Sequence, residues 1–308
     1  MTTLVCGITV ADYIFKVPAI PDQAQKYQAK SLDIVTGGCG ANAAIAIAKL
    51  DHRVKLITPL GGDLVGESLC QSLIKAGVDI SLVKQMDQVP TPISAVMIDN
   101  HGERQIINYR DPALFENDDW VRPALDDILD DHHGITACLC DTRWKFGAMA
   151  LLNFAKENHI SGILDAENPV DDDLLEASSH VIFSLSGLYD WSNQQSIEDG
   201  LDYANNNIKS KPVVMVTDGG NGCYYMDQAD QSIKNIPAPA VKVVDTLGAG
   251  DVWHGAFALK LGLCNDYIEA AKYANLVAAY KCTQKNGIEG APTQAQLNDF
   301  LKEYSVKE

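Results

Sequence analysis

Much is missing from this chain, and each absence narrows what it can be. No apolar run reaches bilayer-spanning length, so no transmembrane helix is expected. Met1–Val10 lacks a basic start and runs straight into a strand pattern, so no signal peptide is expected either. Positive charge is scarce. The 24 Lys and Arg stand against 41 Asp and Glu, and a net charge of −17 argues against nucleic acid or an anionic membrane as partner. Eight cysteines are scattered without CxxC spacing, and seven histidines show no metal-ligand spacing. A zinc site is therefore not expected, and the thiols read as buried or incidental in a reducing cytoplasm. The chain also lacks the GxxxxGK[ST] phosphate loop. No GxGxxG followed by an acid about 20 residues on comes after the first strand, which weighs against a dinucleotide-dependent oxidoreductase. Internal repeats and low-complexity segments are absent too.

What is present is core. At 308 residues and 46% hydrophobic, the chain suits one large α/β domain, with or without a small accessory piece. Leu4–Val10 reads as a buried first strand that ends near Asp12. Val54–Ile57, Ile135–Cys140, Gly162–Asp165, His180–Ser184 and Val213–Thr217 read as further strands, alternating with helical stretches. That order predicts a mostly parallel sheet covered by helices on both faces. Tyr13–Val35, broken by Pro18 and Pro21, and a hairpin of Ser94–Ile98 with Gln105–Tyr109 could form a small separate sheet.

The most informative stretch is Asp245-Thr246-Leu247-Gly248-Ala249-Gly250-Asp251. The β-branched run Val241, Val243, Val244 before it reads as a buried strand, and Val252, Ala256 and Leu259 after it are apolar at helical spacing. Small residues at such a corner let a ligand approach the backbone. The amides of Ala249, Gly250 and Asp251 would converge on one spot where a helix N-terminus favours an anion. Asp251 would repel that anion, so it makes sense as a base beside transferring phosphate. The plainer alternative, which spacing alone leaves open, is a first-turn acid capping an ordinary helix. Gly37-Gly38-Cys39-Gly40-Ala41-Asn42 opens a second apolar helix, Ala43–Leu50, and sets amides and Asn42 at a ligand-facing corner.

Taken in order, these motifs make the chain resemble the ribokinase-like (PfkB-type) carbohydrate kinases over essentially its whole length. Asp245–Asp251 fits that family's D-T-x-G-A-G-D signature, Gly37–Asn42 its N-terminal signature, and Thr217, Gly219 and Gly222 its nucleotide turn. The resemblance implies a three-layer fold with a mostly parallel central sheet and a small β-lid. The main domain would be 1–12, 36–92 and 111–308, and the lid 13–35 and 93–110. It implies Asp251 as general base, and Gly248, Ala249 and Gly250 as the anion hole for the γ-phosphate. Asp12, Gly38 and Asn42 would bind sugar hydroxyls. Thr217, Gly219, Gly222, Thr246 and Asn275 would hold ATP, with Mg2+ bridging its phosphates, and the lid could pair two copies into a homodimer.

Two details refine the expectation. Where members often carry N-x-x-E, this chain reads Ser184-Leu185-Ser186-Gly187, so the usual metal-linked acid is missing and the metal ligands stay unassigned. Within the family the chain resembles 6-deoxy-6-sulfofructose kinases, through Gly102-Glu103-Arg104, Asn108-Tyr109 and Asp141-Thr142-Arg143-Trp144. That likeness implies Lys26, Asn108 and Arg143 as the holders of a substrate sulfonate. The alternatives are a kinase for a neutral sugar or nucleoside, and a non-catalytic ligand-binding member of the fold.

Overall fold

The computed structural model describes residues 1–117, 119–129, 134–227 and 229–305. In chain order the strands are β1 (Thr2–Cys6), β2 (Val10–Lys16), β3 (Ser31–Gly37), β4 (Arg53–Gly61), β5 (Val83–Met86), β6 (Ile93–Ile98) and β7 (Arg104–Tyr109). They continue with β8 (Ile135–Asp141), β9 (Ser161–Ala166), β10 (His180–Ser184), β11 (Val213–Thr217), β12 (Cys223–Met226) and β13 (Ile233–Ile236). The helices are α1 (Cys39–Lys49), α2 (Leu64–Lys75), α3 (Val121–Leu129), α4 (Lys145–Glu157) and α5 (Asp172–Ala177). After them come α6 (Leu185–Ser192), α7 (Ile197–Asn207), α8 (Ala249–Cys264), α9 (Tyr267–Cys282) and α10 (Gln294–Ser305).

Two sheets result. The larger has nine strands in the order β13-β12-β11-β10-β9-β8-β1-β4-β5, parallel except at β12 and β13. Both of its faces are buried, which is why its strands are continuously apolar. Val5, Leu56 and Leu139 pack with α1, α8 and α9, whereas Leu4, Cys6 and Phe183 pack with α4, α6 and α7. Strand order reverses at β1, with β4 on one side and β8 on the other. In such sheets the crevice beyond the carboxyl ends of the strands at that reversal is where ligands bind. The smaller sheet, β3-β2-β6-β7, stands over that end.

The structure revises three sequence expectations. The strand expected over Leu4–Val10 divides at Gly7, where the chain leaves the large sheet and enters the small one as β2. A Cβ on Gly7 would lie 2.1 Å from Asp141 Oδ2, and one on Gly40 would lie 2.8 Å from the Gly7 Cα, so this is a tight crossing of backbones. The second helix begins earlier than Ala43, at Cys39. The valines before Asp245 are not a buried strand. Val243 and Val244 are exposed and line a cavity, in a segment that follows Pro237 and Pro239, which have no N–H to give to a ladder.

Candidate active site

The crossing of α1 and α8 builds the centre. A Cβ on Gly255 would come within 2.6 Å of the Ala43 carbonyl, so only a glycine lets the two helices approach this closely. Their first turns thereby meet, and Asn42 Nδ2 donates to Asp251 Oδ2 at 2.6 Å. Asp141, at the carboxyl end of β8, secures the other helix start by accepting from the Ile8 and Gly40 amides at 2.9 and 3.1 Å. Asp251, Asn42, Asp12, Gly248 and Thr246 all line one cavity of about 820 Å³ between the two sheets.

Asp251 does not have an ordinary carboxylate affinity for protons. Burial and the neighbouring Asp165 push its pKa up to about 7, while the Asn42 hydrogen bond and His254 pull the other way. That places it near the working range of a general base. Asp165 is buried too, and burial with the Glu167 and Asp141 charges raises its pKa well above the usual range. Asp165 Oδ1 and His254 Nε2 lie 3.4 Å apart and neither has a hydrogen-bond partner. One proton shared between them would satisfy both. His254 Nδ1 meets the Gly250 carbonyl at 2.8 Å, which leaves Nε2 free for that role.

The α8 start is the corner expected to receive an anion. Gly248 takes the left-handed conformation, φ 74°, and turns the chain into the helix. First-turn amides have no intrahelical carbonyl to bond, and a Cβ added to Gly250 would enter open space. One amide expected to be free is not: Ala249 N–H bonds the Thr246 carbonyl at 3.1 Å. The corner thus rests on Gly250 and Asp251 amides more than on Ala249.

The small sheet supplies the opposite wall. Its register aligns Asp12 with Ser94 and Ser94 with Asn108, so the three share one face and one row across adjacent strands. Burial raises the Asp12 pKa, and the Ser94 hydroxyl and Arg110 oppose that shift. Asp12 Oδ2 would lie 2.0 Å from a Cβ on Gly37, so the second glycine-rich motif makes room for that carboxylate. Gly38 has φ 97° and caps α1, a backbone position with no side chain to offer.

The remaining expected residues are more dispersed. Lys26 is exposed in the segment between β2 and β3. Arg143 follows β8, with its guanidinium held by Glu167 Oε2 at 2.7 Å and by the Asn168 carbonyl at 2.6 Å. Thr217 ends β11 with its hydroxyl 3.4 Å from the Phe183 carbonyl, and Gly219 and Gly222 form the turn that follows. The Asn275 side chain is buried and engaged: it accepts from Trp253 Nε1 at 2.7 Å and donates to the Ile236 and Pro237 carbonyls at 2.9 and 3.2 Å. It shapes the wall around the β13 exit, and both of its amide hydrogens are already used.

Sequence reasoning assigned no role to Ser94, Arg104, Asp165 or Lys281. Arg104 lines the cavity and reaches Asp245 Oδ1 at 3.4 Å. Only its place in Gly102-Glu103-Arg104 singled it out. Among the described residues, one set with metal-capable atoms within 4.8 Å of one another occurs, Cys39, Asp165 and Asp251. Its carboxylates suit Mg2+, which takes hard oxygen donors, and the unpartnered Asp165 Oδ1 fits that need; the thiol does not.

Similarity to known proteins agrees with this geometry. The family described as pfkB family carbohydrate kinase matches residues 2–294. A protein of Arabidopsis thaliana named "Probable fructokinase-5" is 27% identical, over 93% of this chain and 94% of its own length. The ribokinase of Haemophilus influenzae is 24% identical over 98% of each chain. A ribokinase candidate from Agrobacterium tumefaciens superposes with a TM-score of 0.90, at 28% identity, covering 100% of this chain and 99% of its own. With its two glycine-rich helix starts meeting at Asp251 and its ribokinase-like architecture, the chain belongs to the pfkB family of carbohydrate kinases.

Proposed function

We propose that this kinase uses Asp251 to take the proton from a sugar hydroxyl as that oxygen attacks the γ-phosphorus of ATP. The observation that carries the assignment is a cavity-lining carboxylate hydrogen-bonded to Asn42 at 2.6 Å where the two helix N-termini meet, and its raised pKa agrees with it. The Gly250 and Asp251 amides would receive charge developing on the phosphoryl oxygens. Mg2+, the usual companion of ATP in such kinases, would neutralise phosphate charge, and Asp165, on giving up the proton it shares with His254, is the carboxylate suited to hold it in place of the missing N-x-x-E acid. Asp12 and Asn42 would hold the sugar hydroxyls, with Gly38 setting the chain direction between them. Thr217, Gly219, Gly222 and Thr246 remain the proposed contacts to nucleotide, and exposed Val243 and Val244 offer an apolar wall for its base. Asn275 would act behind that wall.

For the acceptor we favour a ketose bearing an anion, such as 6-deoxy-6-sulfofructose. Asn108 shares the Asp12 row, and Arg143 neighbours Cys39 beside the base. Arg143 would exchange Glu167 for the sulfonate, and Lys26 would join from the covering segment once the small sheet closes as a lid. A neutral ketose or ribose is the second reading, favoured by the intact Arg143–Glu167 pair and the exposed position of Lys26. ADP release measured with a panel containing ribose, fructose and its 6-sulfonated analogue decides between them. A kcat/KM at least about tenfold higher on the sulfonated sugar supports the first reading, and a preference for a neutral sugar refutes it.

The lid also supports a homodimer. Ile93, Ile107 and Tyr109 are exposed and, by register, share the face opposite Asp12. A cytoplasmic setting is supported by eight free cysteines.

A further inference from the structure

Lys281, in the last turn of α9, has no solvent exposure at all. A buried ammonium is costly unless it is paired and hydrogen-bonded. Its Nζ donates to the Asp245 main-chain carbonyl at 2.8 Å and lies 3.6 Å from Asp245 Oδ2. The same carboxylate accepts the Leu247 and Gly287 amides, each at 2.9 Å, while Arg104 approaches its other side. The Val244 and Asp245 amides both bond the Cys282 carbonyl, at 2.7 and 3.2 Å. Two loops, 244–248 and 282–287, are thus joined edge to edge, with one ammonium bonded to both the backbone and the carboxylate of Asp245. The first of these loops runs directly into Gly248 and the α8 start.

We propose that Lys281 is a positioning residue for phosphoryl transfer: a covalently tethered cation that fixes Asp245 and, through it, the aim of the Gly248–Gly250 corner. Lys281 touches neither sugar nor nucleotide. Its charge compensates Asp245 so that both main-chain segments hold one geometry when phosphate charge develops three residues away. An anion hole works only when its donors are already in place, and a shift of about 1 Å can cost about a hundredfold.

The inference rests on the reading that the α8 start receives the phosphate, so the experiment tests the two separately. Lys281→Met keeps the apolar stem of the side chain and removes its terminal ammonium, which leaves room for a small cation. Its kcat should fall roughly ten- to a hundredfold while the KM for sugar changes by less than about threefold. Ammonium or methylammonium should restore part of kcat in a saturable manner, tetramethylammonium should not, and the parent enzyme should not respond. A merely structural residue would give no such rescue. Turnover within about threefold of the parent, or a folded variant whose loss no small ammonium ion repairs, overturns the proposal. Lys281→Gln replaces Lys281→Met if circular dichroism finds the latter unfolded; if neither folds, the residue serves the whole fold and the proposal is overturned. Gly250→Val tests the underlying reading: its Cβ enters open space, so the fold should hold while turnover drops. Full turnover in that variant would remove the phosphate from this corner and leave any Lys281 rescue without its stated cause, which overturns the proposal as well.

Discussion

Asp251→Asn should make the protein inactive and, at alkaline pH, more stable. An aspartate unfolded in water titrates near 3.9, whereas in the folded chain burial and Asp165 push Asp251 up to about 7. Because the folded-state pKa is raised, the folded form holds the proton more tightly. Below about pH 4 the carboxyl is neutral in both states and imposes no penalty; as pH rises through 7 the folded protein must carry an unwelcome charge, and stability falls. Three pKa units correspond to about 4 kcal/mol as an upper bound. Solvent in the open cavity reduces this to roughly 1–2 kcal/mol, or about 2–4 °C in Tm for a chain of this size. The neutral amide escapes the penalty. Thermal unfolding of parent and variant at pH 4.5 and pH 8 should therefore show a Tm gain for the variant that is larger at pH 8. Over the same range the parent's kcat/KM should rise about tenfold per pH unit up to pH 7 and then level, since the base must be ionised. The variant should lose about 10²–10⁴ in kcat. A pH-independent Tm difference, or a flat rate profile between pH 5 and 8, would refute the reasoning.

Three further substitutions probe the surroundings. Gly37→Ala places a methyl against the Asp12 carboxylate, whose Oδ2 lies 2.0 Å from the Cβ position; sugar KM should rise about tenfold or more, from the loss of one charged hydrogen bond, with little change in Tm. Gly255→Val forces α8 away from the Ala43 carbonyl, 2.6 Å from the Cβ position. It should cost about 1–3 kcal/mol in chemical denaturation, and it should lower kcat because Asn42 no longer reaches Asp251. Arg143→Ala should lower kcat/KM on 6-sulfonated fructose roughly ten- to a hundredfold and leave fructose almost unaffected; equal losses on both sugars would make Arg143 a strut between the loops after β8 and β9.

The family fold and the glycine-rich helix starts were legible because they depend on local chemistry. Glycines at a strand–helix corner constrain the backbone by themselves, and alternating strands and helices admit few topologies. What escaped depends on partners distant in the chain. Lys281 carries no assigned role in the sequence, because what gives it one is its contact with Asp245 in another loop. Asn275 reads as a ligand contact, and its bonds to Trp253 and two carbonyls could be known only from the fold. Val243 and Val244 were misread because a β-branched run has the same appearance in a buried strand and on a cavity wall. Asp165 carried no motif, and its importance comes only from lying beside Asp251 and His254.

The two-sheet construction has a consequence for how such an enzyme diversifies. Asp12, Ser94 and Asn108 belong to the small sheet, which joins the rest of the chain only near Gly7, Gly37, Pro92 and Arg110. Asp251, Asn42 and the α8 start belong to the helices of the large body. Part of the proposed acceptor recognition therefore resides on a module separable from the phosphoryl-transfer centre, while Asn42 and Arg143 contribute to it from the large body. Transplanting the four strands between relatives, with those junctions kept, would shift acceptor preference as far as Asp12, Ser94 and Asn108 set it, while the recipient's own phosphoryl-transfer apparatus stays untouched.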